Sequence, residues 1–329
     1  MKIAVCGPSE PDAFADNVAD TLRRMGHDVH SLGAARPPMR VRQLSNLVEL
    51  LADNRRAIDK FRQRRMVKRV QEIRPDILLT IDRRLHPTVI KAAHQVGAKV
   101  ALWFPDHTGT MANHDMFVAG YDRIYLKNPV LVDQLRDVQG LPVRYMPEAA
   151  NSSWHRSILP YGAERAVVVA GNIHPTRALL LDRLVGDGIP VRIYGAALPS
   201  WIDFPRLREA HTGEYIARQR KADVFRSAVA VLNNLHPAED AGMNCRLFEA
   251  AASGAVVVTE ERVGLRDLFA PGEEVLTFDT YDGLVTTLRG LLGDSAVGLP
   301  VADAAASRAH REHTYEHRLT SILDDLTTS

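Results

Sequence analysis

The chain has 329 residues, enough for one large domain or two of ordinary size. Its 41 basic and 40 acidic side chains leave a net charge of +1, which excludes a whole-protein field that recruits nucleic acid or acidic membranes. With 46% hydrophobic and 25% charged residues and two cysteines, it reads as a globular protein whose cores need no disulfide staples.

The N-terminus runs straight into a strand, Ile3–Gly7, without the apolar core and cleavage site of a signal peptide. From Asp12 to Met25 a helix is predicted, with Phe14, Val18, Thr21, Leu22 and Met25 on one stripe and Gly26 as its stop. His27–Leu32 reads as a second strand. The charged stretch Val41–Ile73 repeats Leu44, Leu47, Val48 and Leu51, then Ile58, Phe61, Val67 and Val70, at helical spacing. Its basic run, Arg55–Arg69, has Phe61 as its one aromatic, which fits a solvated helix face rather than a base-stacking platform. Asp76–Ile81 is a buried-type strand, His86–Val96 a helix, and Lys99–Phe104 and Asp122–Leu126 further strands. A short helix after Asn128 and the strand Pro142–Met146 close the first half.

The second half repeats the rhythm. Strands are predicted at Ala166–Gly171, Pro190–Gly195, Ala228–Asn233, Ala255–Glu260 and Glu274–Phe278. Helices are predicted at Pro175–Leu184, Glu214–Phe225, Met243–Ser253, Leu265–Phe269 and Tyr281–Leu292, with a final helix from Ala302 to Leu326. Apolar strands without polar alternation, each followed by a helix, imply parallel sheets covered on both faces. The fold class expected is α/β, with two Rossmann-like doubly wound domains, 1–155 and 156–329, facing a central cleft. The last helix is allowed to return to the first domain. Ligands of such sheets bind beyond the carboxyl ends of the strands.

Cys6 and Cys245 lie far apart and in no metal-ligand spacing, as expected of buried reduced thiols in a cytoplasmic protein. No stretch approaches the roughly 18 apolar residues of a transmembrane segment.

Val231–Glu260 reads as one unit: a strand ending at Asn233, a polar loop with His236, Glu239 and Asp240, and a helix opening near Gly242. Asn244 and Arg246 fall in its first turns and Glu249 about two turns in. The free N–H groups of such a helix start, with the positive end of its dipole, suit a phosphate or pyrophosphate. Glu249 either pairs with Arg246 at the surface or accepts hydrogen bonds from the vicinal hydroxyls of a ribose.

The run GMNCRLFEAAASGAVVVTE (Gly242–Glu260) resembles the nucleotide-sugar segment of glycosyltransferases with two Rossmann-like domains, the GT-B architecture. More narrowly, its N-x-R-x-F-E-A pattern resembles the CgeB-like, spore-maturation type. Val167–Arg177 is similar to the glycine loop opening that family's C-terminal domain, and Pro190–Gly195 to the following strand and glycine. Asp267–Leu284, His310–Leu323 and Pro142–His155 match a Pro-Gly segment, the closing helix and the interdomain linker. The likeness covers most of 142–326 and is weaker across 1–141, where the acceptor is expected.

The resemblance implies a metal-independent hexosyltransferase-type enzyme. It would take a nucleotide diphosphosugar as donor and use no cofactor and no tightly bound metal. The acceptor and the oligomeric state stay open. Glu249 would grip the ribose. Gly171, Asn172, His174, Arg177, Gly195, His236, Gly242, Met243, Asn244 and Arg246 would serve the rest of the donor. Arg177 would neutralise diphosphate or sit as an ordinary surface arginine. His174 would face the ligand or cap its turn. Many retaining relatives carry two glutamates spaced around this helix; here the matching position is Ala241, with Glu239 and Asp240 out of register.

In the first half, Asp106 and His107 follow a buried strand, where reactive groups of open sheets collect. Asp106 is a candidate catalytic base, an orienter of His107, or an Asx-turn residue. His114 and Asp115 are weaker candidates, and Asp82 beside Arg83 and Arg84 reads as a salt bridge. Gly7 opens a loop lacking G-x-G-x-x-G; it is a plain turn or a point of close substrate approach. His310, His313 and His317 read as a wet helix face. Two other readings remain: a nucleotide-sugar 2-epimerase and a non-catalytic nucleotide-sugar-binding protein.

Overall fold

The computed structural model describes residues 1–36, 56–107 and 116–328. They form two compact units, Met1–Pro147 with Arg318–Ser329, and Glu148–His317. The expected helix over Val41–Arg55 and the candidates His114 and Asp115 lie outside the described residues.

The first unit contains β1 (Lys2–Cys6), α1 (Phe14–Arg24), β2 (Asp28–Gly33), α2 (Arg56–Ile73), β3 (Ile77–Thr80), α3 (Pro87–Gln95), β4 (Lys99–Phe104), β5 (Arg123–Leu126), α4 (Pro129–Asp137) and β6 (Val143–Tyr145). The strands pair in parallel in the order β2-β1-β3-β4-β5-β6. β4 shows why its sequence lacks polar alternation. Val100, Leu102 and Phe104 join one apolar layer, while Trp103, on the opposite face, is also buried and packs edge-on against Phe14. The helix α1 buries Val18, Thr21 and Leu22, places Asp16 in its first turn and Arg23 and Arg24 in its last, and so matches its own dipole. Asn128 caps α4 by accepting from Leu131 N–H.

The second unit contains β7 (Glu164–Ala170), α5 (Pro175–Gly186), β8 (Val191–Tyr194), α6 (Pro205–Ala210), α7 (Arg218–Ser227), β9 (Ala228–Asn233), α8 (Cys245–Ala252), β10 (Val257–Glu260), β11 (Leu276–Phe278), α9 (Tyr281–Gly293), a 3₁₀ turn (Ser295–Gly298) and α10 (Leu299–Glu312). Its sheet order is β11-β10-β9-β7-β8, again parallel. β7 gives Val168 and Ala170 to one layer and Val167 and Val169 to the other. Each fully buried Val or Leu side chain contributes roughly 1.5–3 kcal/mol.

Several expectations need correction. Leu265–Phe269 forms turns, not a helix, although Leu265, Leu268 and Phe269 are buried. A helix expected from Glu214 starts at Arg218, and α6 had no sequence signal. The final helix is two: α10 stops at Glu312 and α11 (Tyr315–Thr327) follows. The break arises because Ala150 takes the backbone there, donating to His313 O (2.9 Å) and accepting from Tyr315 N–H (3.0 Å). Of the histidine row, His317 is exposed as expected, but His313 is buried with its Nε2 2.7 Å from Leu268 O, and the half-buried His310 has its Nε2 2.9 Å from Ala252 O. Cys6 and Cys245 are free thiols; Cys6 is buried and Cys245 only partly so.

Candidate functional site

In the second sheet β7 lies between β8 and β9: the chain passes from β7 out to β8 and then returns across β7 to β9 on its other side. This is the switch point at which an open parallel sheet forms a crevice. Gly171 follows β7, Gly195 follows β8, Asn233 ends β9 and Asn234 follows it. Gly171 and Gly195 have φ of +105° and +150°, a region that favours glycine. A Cβ on Gly195 would come 2.9 Å from Gly171 O, so the two loops approach this closely because Gly195 lacks a side chain. A Cβ on Gly171 would collide with Nη2 of Arg246. The Arg246 guanidinium therefore lies on bare backbone, and its Nη1 donates to Asn233 Oδ1 at 3.1 Å.

Arg177 is not the surface arginine of the alternative reading. It is buried, and its guanidinium donates to Asn234 Oδ1 (2.8 Å), Asn234 O (2.6 Å) and Asn172 O (2.6 Å). Arg177 thus ties the loop after β7 to the end of β9. Burial pushes its pKa down to about 9, the charge of Arg246 adds to the shift, and Glu260 opposes it. At neutral pH the group stays cationic. Two guanidinium groups therefore share one crevice, an arrangement that an anion would stabilise.

His174 is the N-cap of α5, its Nδ1 accepting from Arg177 N–H at 3.3 Å, so it caps its turn. Its ring meets that of His236 edge to face, with centroids 4.9 Å apart. Nδ1 of His236 in turn accepts from Ala238 N–H. Gly242 and Met243 precede α8; Met243 belongs to the core layer. Asn244 is the N-cap of α8, yet its side chain makes no capping bond and its Oδ1 is buried with no hydrogen-bond partner. The first N–H groups of α8 are thereby left to another acceptor.

Glu249 does not pair with Arg246. It is buried on α8, and its Oε1 accepts from Nζ of Lys221 on α7 at 3.0 Å. Of the displaced carboxylates, Glu239 is buried and Ala241 occupies the position of a second glutamate. Lys221, Asn233 and Asn234 escaped sequence reading. The two asparagines sit at the end of a strand beside the switch point, a usable signal. Lys221 carries none, because it lies 28 residues from Glu249.

In the first unit, Asp106 and His107 follow β4 as expected. Asp106 Oδ1 accepts from the backbone N–H of His107 at 2.9 Å, and His107 Nε2 lies 3.8 Å from it. Gly7 is a packing glycine: a Cβ there would come 2.7 Å from the Cβ of Ala15 and 3.2 Å from that of Ile81. Asp82 forms the anticipated salt bridge, with Arg84 Nε at 3.0 Å. Burial raises its pKa, but hydrogen bonds and charge from Arg84 outweigh that and hold it below the ordinary carboxylate value.

The architecture is shared with solved enzymes. The sucrose-phosphate synthase of Thermosynechococcus elongatus matches with a TM-score of 0.69 and 12% identity, covering 100% of both chains. HepE of Anabaena, solved in complex with UDP-glucose, matches with a TM-score of 0.66 and 12% identity, again over 100% of both. The lipopolysaccharide outer core galactosyltransferase WaaB matches at 0.59 and 16% identity over 99% of each chain. The fold is therefore that of the GT-B glycosyltransferases, two parallel-sheet α/β domains. Within it, residues 176–324 match the family described as glycosyl transferase-like, and this stretch is a glycosyltransferase-like domain. No curated protein sequence matches the chain. Among the described residues, no helix is long and apolar enough to cross a membrane.

Proposed function

We propose that the chain is a glycosyltransferase that takes a nucleotide diphosphosugar as donor and passes a hexosyl group to an acceptor held by the first unit. The observation that carries the proposal is the pair of guanidinium groups, Arg177 and Arg246, at the β7 switch point beside Gly171. Two cations in one crevice, next to the uncapped start of α8, suit the two phosphates of a diphosphate leaving group. Arg246 would touch the phosphates, whereas Arg177, spent on three protein oxygens, would hold the loop and lend its charge. Glu249 would accept from the ribose hydroxyls, and the glycines would admit the sugar. This division of labour needs no tightly bound metal, since arginine and helix start meet the charge.

Asp106 or His107 would assist the acceptor hydroxyl as a general base. The likeness of the Gly242–Glu260 run to CgeB-like enzymes supports that narrower family, and the free thiols Cys6 and Cys245 fit a cytoplasmic setting. HepE, of the same fold, was solved with UDP-glucose, which favours a UDP-sugar among the donors to try first. Calorimetric titration with UDP, GDP and dTDP, then with their sugar conjugates, tests the reading. Binding at micromolar to millimolar concentration is expected; no binding at millimolar ligand by folded protein refutes it. Turnover with no acceptor, yielding an epimerised nucleotide sugar, would replace transfer by epimerisation.

A further inference from the structure

We propose that Lys221 is a positioning residue for the donor site: it fixes the Glu249 carboxylate so that it can receive a vicinal diol. This deepens the donor reading and rests on it. The pair is nearly dry, the side chains of Lys221 and Glu249 being 13% and 7% exposed, at 3.0 Å. The two residues come from different elements, α7 and α8, so the contact locks the rotamer of a side chain with three free torsions. The neighbours of Glu249 on its own helix, Phe248, Ala250, Ala251 and Ala252, are all buried and apolar or small. They offer its carboxylate no hydrogen-bond donor from their side chains.

The other polar groups around Glu249 give the ion pair its consequence. Cys245 lies one turn earlier, and its thiol is pushed well above the ordinary range by burial, then by Glu249 and then by Glu148, with Lys221 and Arg246 opposing. Glu148 is itself buried. A ring nitrogen of His155, also buried, lies within 4.8 Å of a Glu249 oxygen. Without the ammonium, the Glu249 carboxylate would stay buried but lose the partner that fixes its rotamer. A reoriented Glu249 no longer presents paired acceptors to two hydroxyls. As an ion pair alone, the contact would add little stability over an apolar pair of similar size, so its effect should appear in recognition of the diol.

The experiment compares UDP with 2′,3′-dideoxyuridine diphosphate, which lacks that diol, by calorimetry on the full chain. Wild type is expected to favour UDP by about 10–100-fold, the worth of a charge-assisted hydrogen-bond pair. K221R should keep most of that preference. K221M should cut it by about tenfold while leaving the affinity for the dideoxy ligand unchanged. K221Q, closer in shape and polarity, provides the same reading if K221M does not fold. Retention of the full preference in K221M or K221Q overturns the proposal. A wild type that binds both ligands equally shows instead that Glu249 is not the ribose ligand. A wild type that binds neither overturns the donor reading itself.

Discussion

Replacing Gly171 by alanine tests the anion crevice at its narrowest point. The new methyl meets two obstacles. The backbone there has φ of +105°, where an alanine is strained by about 1–3 kcal/mol. The methyl would also occupy the position of Arg246 Nη2. That nitrogen is the far end of a flexible side chain, so it moves aside at small cost, giving up the 3.1 Å bond to Asn233. The stability loss should therefore follow the backbone strain, a fall in melting temperature of roughly 3–10 °C for a unit of this size. Binding should suffer more. Arg246 displaced from the crevice forfeits a charge-assisted bond to diphosphate, a loss of about 10–100-fold in affinity. Titration of UDP at a temperature where the variant is folded measures this. R246A should show the same affinity loss with little change in melting temperature, and G171A/R246A should be no weaker than R246A alone. If folded G171A binds UDP as wild type does, Arg246 does not meet the phosphates and the reasoning fails.

Three further outcomes follow from other parts of the molecule. Arg177→Met strands Asn172 O and both oxygens of Asn234, so thermal unfolding should reveal a loss on the order of 3 kcal/mol; an unchanged melting temperature would mean the loop stands without it. Gly7→Ala drives a methyl against the Cβ of Ala15, which cannot swing away; calorimetry should show about 1–3 kcal/mol of destabilisation with UDP affinity intact. His310 has its pKa lowered by burial, with a bond to Ala252 O opposing and nearby Arg156 and His155 adding to the fall. The unfolded chain therefore takes up this proton first, so stability should decline as pH drops below about 6.5. H310Q, which keeps a donor for Ala252 O, should flatten that part of a denaturation-versus-pH curve; an unaltered slope would assign it to other groups.

The contrast between two glycines shows what each level of description can carry. Gly7 and Gly171 both follow a strand and open a loop, and both read alike in the sequence. Only the positions of Ala15 and Arg246 separate a packing glycine from one that seats a cation. The same holds for Arg177. Its place at the start of a helix after a glycine loop suggested a phosphate ligand or a surface charge. Asn234, just past the end of β9 and 57 residues away, made it a buried strut instead. The helix ending at Glu312 likewise broke where Ala150, far off in the chain, took its hydrogen bonds.

Periodicity was enough to reveal the strands buried on both faces, the helices between them and hence two parallel-sheet domains, because burial of β7 or β4 on two sides leaves no polar alternation to hide the pattern. It also located Glu249 on an apolar helix, since a charge among alanines is visible locally. Which groups that charge meets depended on the packing of α7 against α8 and on the loop crossing at β7. Those contacts join residues that no local spacing relates, so tertiary structure alone put Lys221 on Glu249 and laid Arg246 across Gly171.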